Sequence, residues 1–401
     1  MSGDVLAADV PADIPADTRA GARDESRGAG FERTVPQELV HKTAAGEVLL
    51  TDAVRVRPGH FYLAVRTPGG HGLYGPDAAG RTDPTLFVEM LRQAAIYLSH
   101  RFYGVPLDHP FVFCGLDFDV PPPAPDDIHD DAVVLEVHCR ETKERTPKRA
   151  AMSLRARLLS SGGVRATGSV TWQAVDSARY SALRTRGAGG TPPPAAGTAV
   201  TVAPPGARVM RPELVGREDE LDVVVAELTS PDGATAGEEP GQDAVAGLEP
   251  GEVWALHVDQ SHPVFFDHPS DHVPGMLLLE AVRQASRAAL GPAPAPLYEW
   301  TMSGGGVEFD AYCELTAPTW LLVRTSPGGE AADEVTLRVD AVQNGRSVAS
   351  GTARWSAAPA RGASSDSGAA GVSGASGVGG VAGVSGASGV NGVAGAEETA
   401  A

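Results

Sequence analysis

A segment that reads Glu-x-x-Arg-Gln-Ala occurs twice in the chain, as EMLRQA beginning at Glu89 and as EAVRQA beginning at Glu280, 191 residues later. Two further pairs of segments repeat in the same order. LDFD, ending at Asp119, matches VEFD, again 191 residues later, and a longer segment ending at Trp172 matches one ending at Trp355 at a spacing of 183 residues. Three collinear matches indicate that one fold unit is present twice.

Each copy reads as early strands, one long apolar helix and about four further strands. The first helix is predicted to begin at Asp83-Pro84, because aspartate caps helix N-termini and proline is favoured at the first helical position. Pro274 opens the second helix in the same way. A helix that is apolar on most faces must be covered on most sides, and a sheet wrapped around it does so. The sequence therefore predicts an α+β fold, a double hot dog.

Composition separates ordered from disordered segments. The first stretch is rich in Ala, Asp, Pro and Gly, and the last is nearly all Gly, Ala, Ser and Val, so both bury too little apolar surface to offset the entropy of ordering them. The predicted divisions are a disordered tail at 1–32, a first hot-dog domain at 33–183, a Pro/Gly/Ala linker at 184–206, a second hot-dog domain at 207–356 with an acidic surface insertion at 230–251, and a second disordered tail at 357–401.

Charge and cysteine usage exclude several classes of protein. The net charge of −19 argues against a nucleic-acid binder, which needs a surplus of Lys and Arg. The three cysteines are far apart and in no metal-ligand spacing, so a reduced cytoplasm is the expected compartment and no metal is expected. No signal peptide and no run long enough to cross a membrane is recognised.

The approach to the second helix resembles the active-site signature of β-hydroxyacyl carrier-protein dehydratases. His268 and Pro269 form a turn, Pro274 and Gly275 follow, and Glu280 lies on the helix. Gly275 would let a thioester carbonyl approach free amides at the positive end of the helix. A carboxylate in a mostly apolar tunnel would have a raised pKa, which suits a general acid or base.

Simpler interpretations of the same residues stay open. Arg283 and Gln284 share the face of Glu280, so the glutamate and Arg283 could merely pair with each other. His268 could be a turn histidine that bonds only its own loop.

The first copy repeats the helix residues as Glu89, Arg92 and Gln93 but has Asp83 before its proline and no His-Pro turn. His71 lies twelve residues before Asp83 in a Gly-rich segment. We therefore expect the two copies to differ and at most one of them to be a full active site. His71 and Asp83 are candidate substrate-binding residues, and the alternative for the first copy is a pseudo-site kept for packing. His41 and Lys42 are expected to be exposed charges without a special role.

Three segments together resemble the A-factor biosynthesis (AfsA-type) family: VHKTAAGEVLLTD at 40–52, DPTLFVEMLRQAAIYLSHRFYGVP at 83–106 and FFDHPSDHVPGMLLLEAVRQA at 265–285. The resemblance covers about residues 33 to 356. It implies a double hot-dog enzyme of γ-butyrolactone synthesis that moves a β-ketoacyl group from an acyl carrier protein to a hydroxyl of dihydroxyacetone phosphate. The acyl group would arrive on the phosphopantetheine of the carrier, and no other cofactor is implied.

Carried over to this chain, the resemblance implies Glu89 and Arg283 as leading site residues. Glu280, Arg92, Gln93 and Gln284 follow them. In the hypothesis that results, Glu89 or Glu280 deprotonates the hydroxyl, and Arg92 or Arg283 holds the phosphate, because a guanidinium matches phosphate oxygens.

A local excess of basic residues between 140 and 157 could steer an acidic carrier protein. The residues proposed for this contact are Arg140, Lys143, Arg145, Lys148 and Arg149. The alternative is an ordinary solvated hairpin. For the whole chain the alternatives are a dehydratase or thioesterase on the same fold, or a non-catalytic acyl-binding module.

Overall fold

The computed structural model describes residues 33–66, 71–75, 82–121, 133–160, 163–228, 251–291, 298–326 and 334–359. All of them belong to one compact unit, Met1–Arg361. The predicted tail at 1–32 lies outside the described residues, as do the insertion at 230–251 except Gly251 and the tail at 357–401 except its first three residues. Those three residues end the last strand, which therefore extends beyond the predicted domain end at 356.

Four α-helices are present in the described part of the chain: α1 Pro84–Arg101, α2 Ser177–Gly187, the short α3 Pro212–Val215 and α4 Gly275–Leu290. The strands are β1 Leu50–Arg57, β2 His60–Val65, β3 Phe111–Asp119, β4 Val133–Glu141, β5 Arg149–Ser160, β6 Gly163–Val175, β7 Ala207–Val209, β8 Val225–Leu228, β9 Glu252–Leu256, β10 Tyr298–Phe309, β11 Trp320–Thr325, β12 Glu334–Gln343 and β13 Arg346–Pro359. No helix among the described residues is long and apolar enough to cross a membrane.

These strands form one sheet in the order β1-β2-β4-β5-β6-β3-β10-β13-β12-β11-β9-β8-β7. The two copies meet where β3 pairs antiparallel with β10, with Asp117 opposite Gly306. Going outward from that joint, β6, β5 and β4 of the first copy correspond to β13, β12 and β11 of the second. The copies are therefore halves of one continuous sheet, with the same strand order running in opposite directions from the joint.

The repeated helices α1 and α4 fill the two halves. α1 begins where the sequence predicts, with the Asp83 carboxylate accepting a hydrogen bond from the Thr85 amide at 2.8 Å. Tryptophans at matching ends of β6 and β13 fix each helix: Trp172 Nε1 donates to Ser99 Oγ at 3.1 Å, and Trp355 Nε1 donates to Ser286 Oγ at 3.0 Å. Each helix is buried along most of its length, so the polar residues it carries are buried with it.

The predicted linker at 184–206 begins inside α2, which composition did not reveal. Arg184 is only 1% exposed. Its Nε donates to Asp271 at 3.0 Å, and its Nη1 and Nη2 donate to Glu314 at 2.6 and 2.8 Å. The guanidinium also lies over the Tyr312 ring, 4.3 Å from its centroid. The start of the supposed linker is thus the end of a helix that packs against the second copy, and the prediction was wrong there.

Candidate functional site

Glu89 of α1 accepts hydrogen bonds from the two side chains that follow on its helix face. Arg92 Nε and Nη2 donate to its two oxygens at 2.8 and 2.9 Å, and Gln93 Nε2 donates at 2.8 Å. The spacing of three and four residues places these groups side by side on a helix. Glu89 is 1% exposed.

Glu280 of α4 has the same arrangement. Arg283 Nε and Nη2 donate to its oxygens at 2.9 and 2.8 Å, and Gln284 Nε2 donates at 2.5 Å. The simpler interpretation of Glu280, that it pairs with Arg283, describes this geometry correctly.

A second cation reaches each glutamate, from the segment before β1 in the first copy and from the segment between β7 and β8 in the second. Lys42 Nζ lies 3.2 Å from Glu89 Oε1, and its side chain is 5% exposed. Arg217 Nε and Nη2 donate to Glu280 at 2.8 and 2.7 Å. The expectation that Lys42 is an exposed charge without a role is therefore wrong, since the chain before β1 folds inward onto α1.

The surrounding cations decide the protonation state of both glutamates. Burial by itself would raise the pKa of Glu89, but the charges of Arg92 and Lys42 and the hydrogen bonds lower it to about 2. Burial would likewise raise the pKa of Glu280, but the charges of Arg217 and Arg283 outweigh it and lower that pKa to about 2. The predicted raised pKa is wrong for Glu280, because its surroundings are cationic and amide groups rather than an apolar tunnel.

The two glutamines brace the loops that carry the second cations. Gln93 Oε1 accepts from the Leu49 amide at 2.9 Å, and its Nε2 donates to the Glu47 carbonyl at 2.7 Å. Gln284 makes the matching pair of bonds with the Val224 amide and the Asp222 carbonyl, at 2.8 and 2.6 Å. The side-chain amides of Gln93 and Gln284 are thus both hydrogen-bonded to the backbone. Their predicted role in substrate binding stays a prediction.

His71 has a counterpart that sequence analysis missed. His71 Nε2 lies 2.9 Å from Glu47 Oε1, and its Nδ1 accepts from the Tyr74 amide at 3.1 Å. His262, 191 residues later, lies 3.1 Å from Asp222 Oδ1 through Nε2 and accepts backbone amides through Nδ1. Both copies therefore keep a histidine 18 residues before the helix glutamate. The first copy has no His-Pro turn, but its His71 takes the place of His262.

The loops before α1 and α4 cross to the opposite copy. The Asp267 carboxylate, from the second copy, accepts the Thr43 and Ala44 amides of the first at 2.6 and 2.9 Å. In the other direction, Arg217 Nη1 donates to Asp83 Oδ2 at 2.8 Å. Each glutamate cluster is therefore completed by residues of both copies.

This crossing changes the assignment of His268. Its ring is 54% exposed, and its pKa is lowered by partial burial and then by the positive charge of Arg92. His268 therefore lies with the Glu89 cluster of the first copy. The sequence-based grouping of His268 with Glu280 is wrong, because the loop that carries it packs on the other half.

His41 joins the same cluster. Its Nε2 lies 2.9 Å from Nε2 of His100. Burial, followed by the charges of His100, Arg92 and His268, lowers the pKa of His41 to about 3. The first-copy cluster is hereafter the group His41, Lys42, Glu89, Arg92 and His268.

Gly275 is the first residue of α4, and Pro274 is its N-cap, so the helix begins one residue later than predicted. A β-carbon at this position would come within 3.2 Å of the Phe309 ring, so the ring packs directly on the helix start. The predicted contact of a thioester carbonyl with amides near Gly275 stays a prediction.

One group of possible metal ligands occurs among the described residues, His60, Glu136 and His138 on β2 and β4. The His60 and His138 rings stack at 4.4 Å. Arg157 Nε donates to Glu136 at 2.9 Å, and a guanidinium on the same carboxylate repels a cation. The Glu136 carboxylate is thus already paired with a cation.

The basic residues proposed to contact a carrier protein lie on the β4–β5 hairpin. Arg140, Lys143, Arg145 and Lys148 are exposed and Arg149 is half-buried. Arg145 also donates to the Gly104 carbonyl at 2.7 Å, which fixes the hairpin against the end of α1.

The family model of the A-factor biosynthesis hotdog domain matches residues 23–176 and 199–359, once in each copy. A relative from Streptomyces virginiae named 2-oxo-3-(phosphooxy)propyl 3-oxoalkanoate synthase is 34% identical over 306 residues, covering 75% of this chain and 90% of that protein. A relative of the same name from Streptomyces coelicolor is 31% identical over 323 residues, covering 78% and 89%. A solved acyl-CoA thioesterase II from Mycobacterium marinum is 12% identical with a TM-score of 0.37, covering 81% of this chain and 98% of that one. Since the family model matches both halves of the double hot dog, the chain belongs to the A-factor biosynthesis hotdog family.

Proposed function

We propose that the chain is an acyltransferase that moves a β-ketoacyl group from a carrier-protein thioester to a hydroxyl of dihydroxyacetone phosphate. The ester formed can close to a butenolide. The proposal rests on the family and on the relatives, whose name describes a 3-oxoalkanoate ester of a phosphorylated three-carbon ketone. That product contains the atoms of these two substrates joined by one ester bond.

The first-copy cluster supports the proposal because it offers cations for the phosphate. Arg92 uses Nε and Nη2 to bind Glu89, and its Nη1 donates to no described residue. The Lys42 ammonium lies 3.2 Å from Oε1 of the same carboxylate. A phosphate could therefore bind Arg92 Nη1 and Lys42 Nζ while Glu89 keeps both cations in place.

The Glu280 cluster is the alternative location for the phosphate, with Arg283 in the role of Arg92. Arg217 here binds both oxygens of Glu280 and also Asp83. Its nitrogens are therefore more fully engaged than the ammonium of Lys42, which favours the first copy.

The test incubates the purified full-length protein with a β-ketoacyl carrier-protein thioester and dihydroxyacetone phosphate, with products followed by mass spectrometry. The phosphorylated ester and the free carrier thiol are expected. Free acid alone would indicate a thioesterase, and a bound but unconsumed thioester would indicate an acyl-binding module; either outcome contradicts the proposal.

Matched variants locate the phosphate. Arg92→Lys and Arg283→Lys keep the charge but lose the guanidinium fork. Arg92→Lys is expected to raise KM for dihydroxyacetone phosphate at least tenfold, and Arg283→Lys to raise it much less. The reverse order would place the phosphate in the second copy.

Carrier docking on the β4–β5 hairpin is part of the proposal. Lys143→Glu and Lys148→Glu are expected to raise KM for the carrier thioester and to weaken its dependence on salt. Arg211→Glu reverses an arginine whose side chain is 72% exposed in the second copy, and serves as the control. Equal changes in KM for the carrier thioester in all three variants would show that the hairpin is not the docking site.

A further inference from the structure

His41 occupies a backbone position for which its residue type is poorly suited. Its φ is 52°, and its counterpart 175 residues later, Gly216, has φ 69°. The amide of the following residue donates to the carbonyl oxygen five residues before it in both copies: Lys42 to Gln37 at 3.1 Å, and Arg217 to Pro212 at 2.9 Å. The two turns are therefore equivalent. Glycine adopts this left-handed conformation freely, whereas a residue with a β-carbon seldom does. The first copy therefore carries a histidine where the fold favours glycine.

Hydrogen bonds to His41 and His100 define the tautomer of each ring. His100 Nδ1 lies 2.8 Å from the Val105 carbonyl oxygen, which can only accept, so Nδ1 carries a proton. Burial lowers the pKa of His100, so the ring is neutral and its Nε2 is an acceptor. His41 Nε2 therefore donates to it at 2.9 Å. The lone pair of His41 is consequently on Nδ1, which bonds to no described residue.

His41 is also held in place beside the phosphate cations. Its ring meets the Phe111 ring edge-on, with centroids 5.2 Å apart. It directly precedes Lys42, and Arg92 and His268 are close enough to depress its pKa. Burial, and after it the charges of His100, Arg92 and His268, lower the pKa of the unliganded His41 ring, so it is neutral. A bound phosphate dianion would offset the contribution of these charges and make Nδ1 more basic.

Glu89 is poorly suited to the role of general base. Both of its oxygens accept hydrogen bonds from Arg92, and one of them also accepts from Gln93 and lies beside Lys42. A carboxylate so strongly stabilised in its ionised form takes up a proton reluctantly. The base predicted from sequence is thus better explained as the group that orients the cations.

The geometry points to His41 as the general base of the first-copy cluster, with His100 as the residue that positions it. This inference rests on the acyl transfer proposed above. The hydroxyl proton of dihydroxyacetone phosphate passes to His41 Nδ1 as the hydroxyl oxygen forms a bond to the thioester carbonyl carbon. The tetrahedral intermediate then breaks its C–S bond, and the imidazolium returns the proton to the departing phosphopantetheine sulfur. Atoms and charges balance without a further reactant.

The main test is His41→Gly, which copies the residue at Gly216 and relieves the backbone rather than straining it. Loss of a general base is expected to lower kcat by about 10²- to 10⁴-fold. KM for dihydroxyacetone phosphate should change little, since the phosphate cations stay. Added imidazole should restore part of the turnover through the space left by the ring. His41→Asn, which also tolerates a positive φ, should lose turnover in the same way without rescue.

His100→Asn tests positioning and is expected to lower kcat while KM for dihydroxyacetone phosphate stays unchanged. The control is His138→Ala, whose ring is 55% exposed between the buried Val137 and Cys139 and therefore points away from the core. Retained kcat in His41→Gly, or a loss that imidazole does not restore, would overturn the inference. If the wild-type protein forms no ester at all, the proposed function fails first, and the two failures are thereby distinguished.

Discussion

Arg217 joins the two copies through a charge cluster, and its removal should cost a large part of the stability. Its side chain is 8% exposed and contacts Glu280 through two nitrogens and Asp83 through a third. Arg217→Met preserves most of the apolar stem but leaves Asp83 without this cation and Glu280 with Arg283 as its remaining guanidinium. A buried carboxylate that loses its partner keeps the desolvation cost without the compensating charge.

The magnitude follows from the pKa of Glu280. Lowering it from 4.5 to about 2, against the opposing effect of burial, corresponds to about 3 kcal/mol in favour of the ionised form. Arg217 is the largest of the favourable charges on that glutamate. Together with the loss at Asp83, we expect Arg217→Met to lower the free energy of unfolding by about 3 kcal/mol, within the range for broken buried pairs.

The assay is urea unfolding at pH 7, followed by far-UV circular dichroism, with midpoint and m-value compared between variants. The matched control is Arg208→Met, which breaks an ion pair with Glu227 whose arginine side chain is 75% exposed. That control should cost less than about 1 kcal/mol, as exposed pairs do. Equal, small losses for the two variants would refute the argument that the Glu280 cluster stabilises the joined copies.

Three further predictions concern stability. Arg184→Met should cost at least about 3 kcal/mol in urea unfolding, because two carboxylates lose their buried partner, whereas Arg179→Met on the exposed side of the same helix should cost less than about 0.5 kcal/mol. Because the pKa of Glu89 is lowered in the folded protein, its stabilising contribution is complete above about pH 4.5 and falls as the pH drops toward 2. Glu89→Gln should therefore be less stable than wild type at pH 7, but its free energy of unfolding should decrease less than that of wild type between pH 5 and 2.5. Gly168→Ala would place a β-carbon 2.7 Å from a carbonyl oxygen of the neighbouring strand and 2.9 Å from a leucine of α1, and should cost about 1–3 kcal/mol, while Gly46→Ala, with nothing within 4 Å, should be nearly neutral.

The fold could be read from the sequence because its main signal is a repeat of a buried helix. The start of α1 at Asp83-Pro84 and the Glu-x-x-Arg-Gln spacing depend on neighbours within one helical turn, so local rules suffice. Trp172 on β6 and Trp355 on β13 indicate the same duplication. These features are local in the chain, and the structure has them where they were expected.

The site depends on contacts that local rules do not reach. Lys42 meets Glu89 from 47 residues away, and Asp267 meets Thr43 from 224 residues away. The sequence does carry one signal of these contacts: V-x-K-x4-E-V at 40–48 recurs as V-x-R-x4-D-V at 215–223. That second repeat would have placed a buried cation beside each helix glutamate. It also aligns His41 of the first copy with Gly216 of the second.

The exchange of loops between the halves also bears on how such a chain can change over time. In a homodimer of hot-dog subunits, one gene encodes both sites, so any substitution alters the two together. Here the partner that completes each site is a different stretch of the same chain, with Asp267 facing Thr43 in one direction and Arg217 facing Asp83 in the other. Each site can therefore mutate independently of the other. The histidine at 41 and the glycine at 216 are one outcome of that freedom.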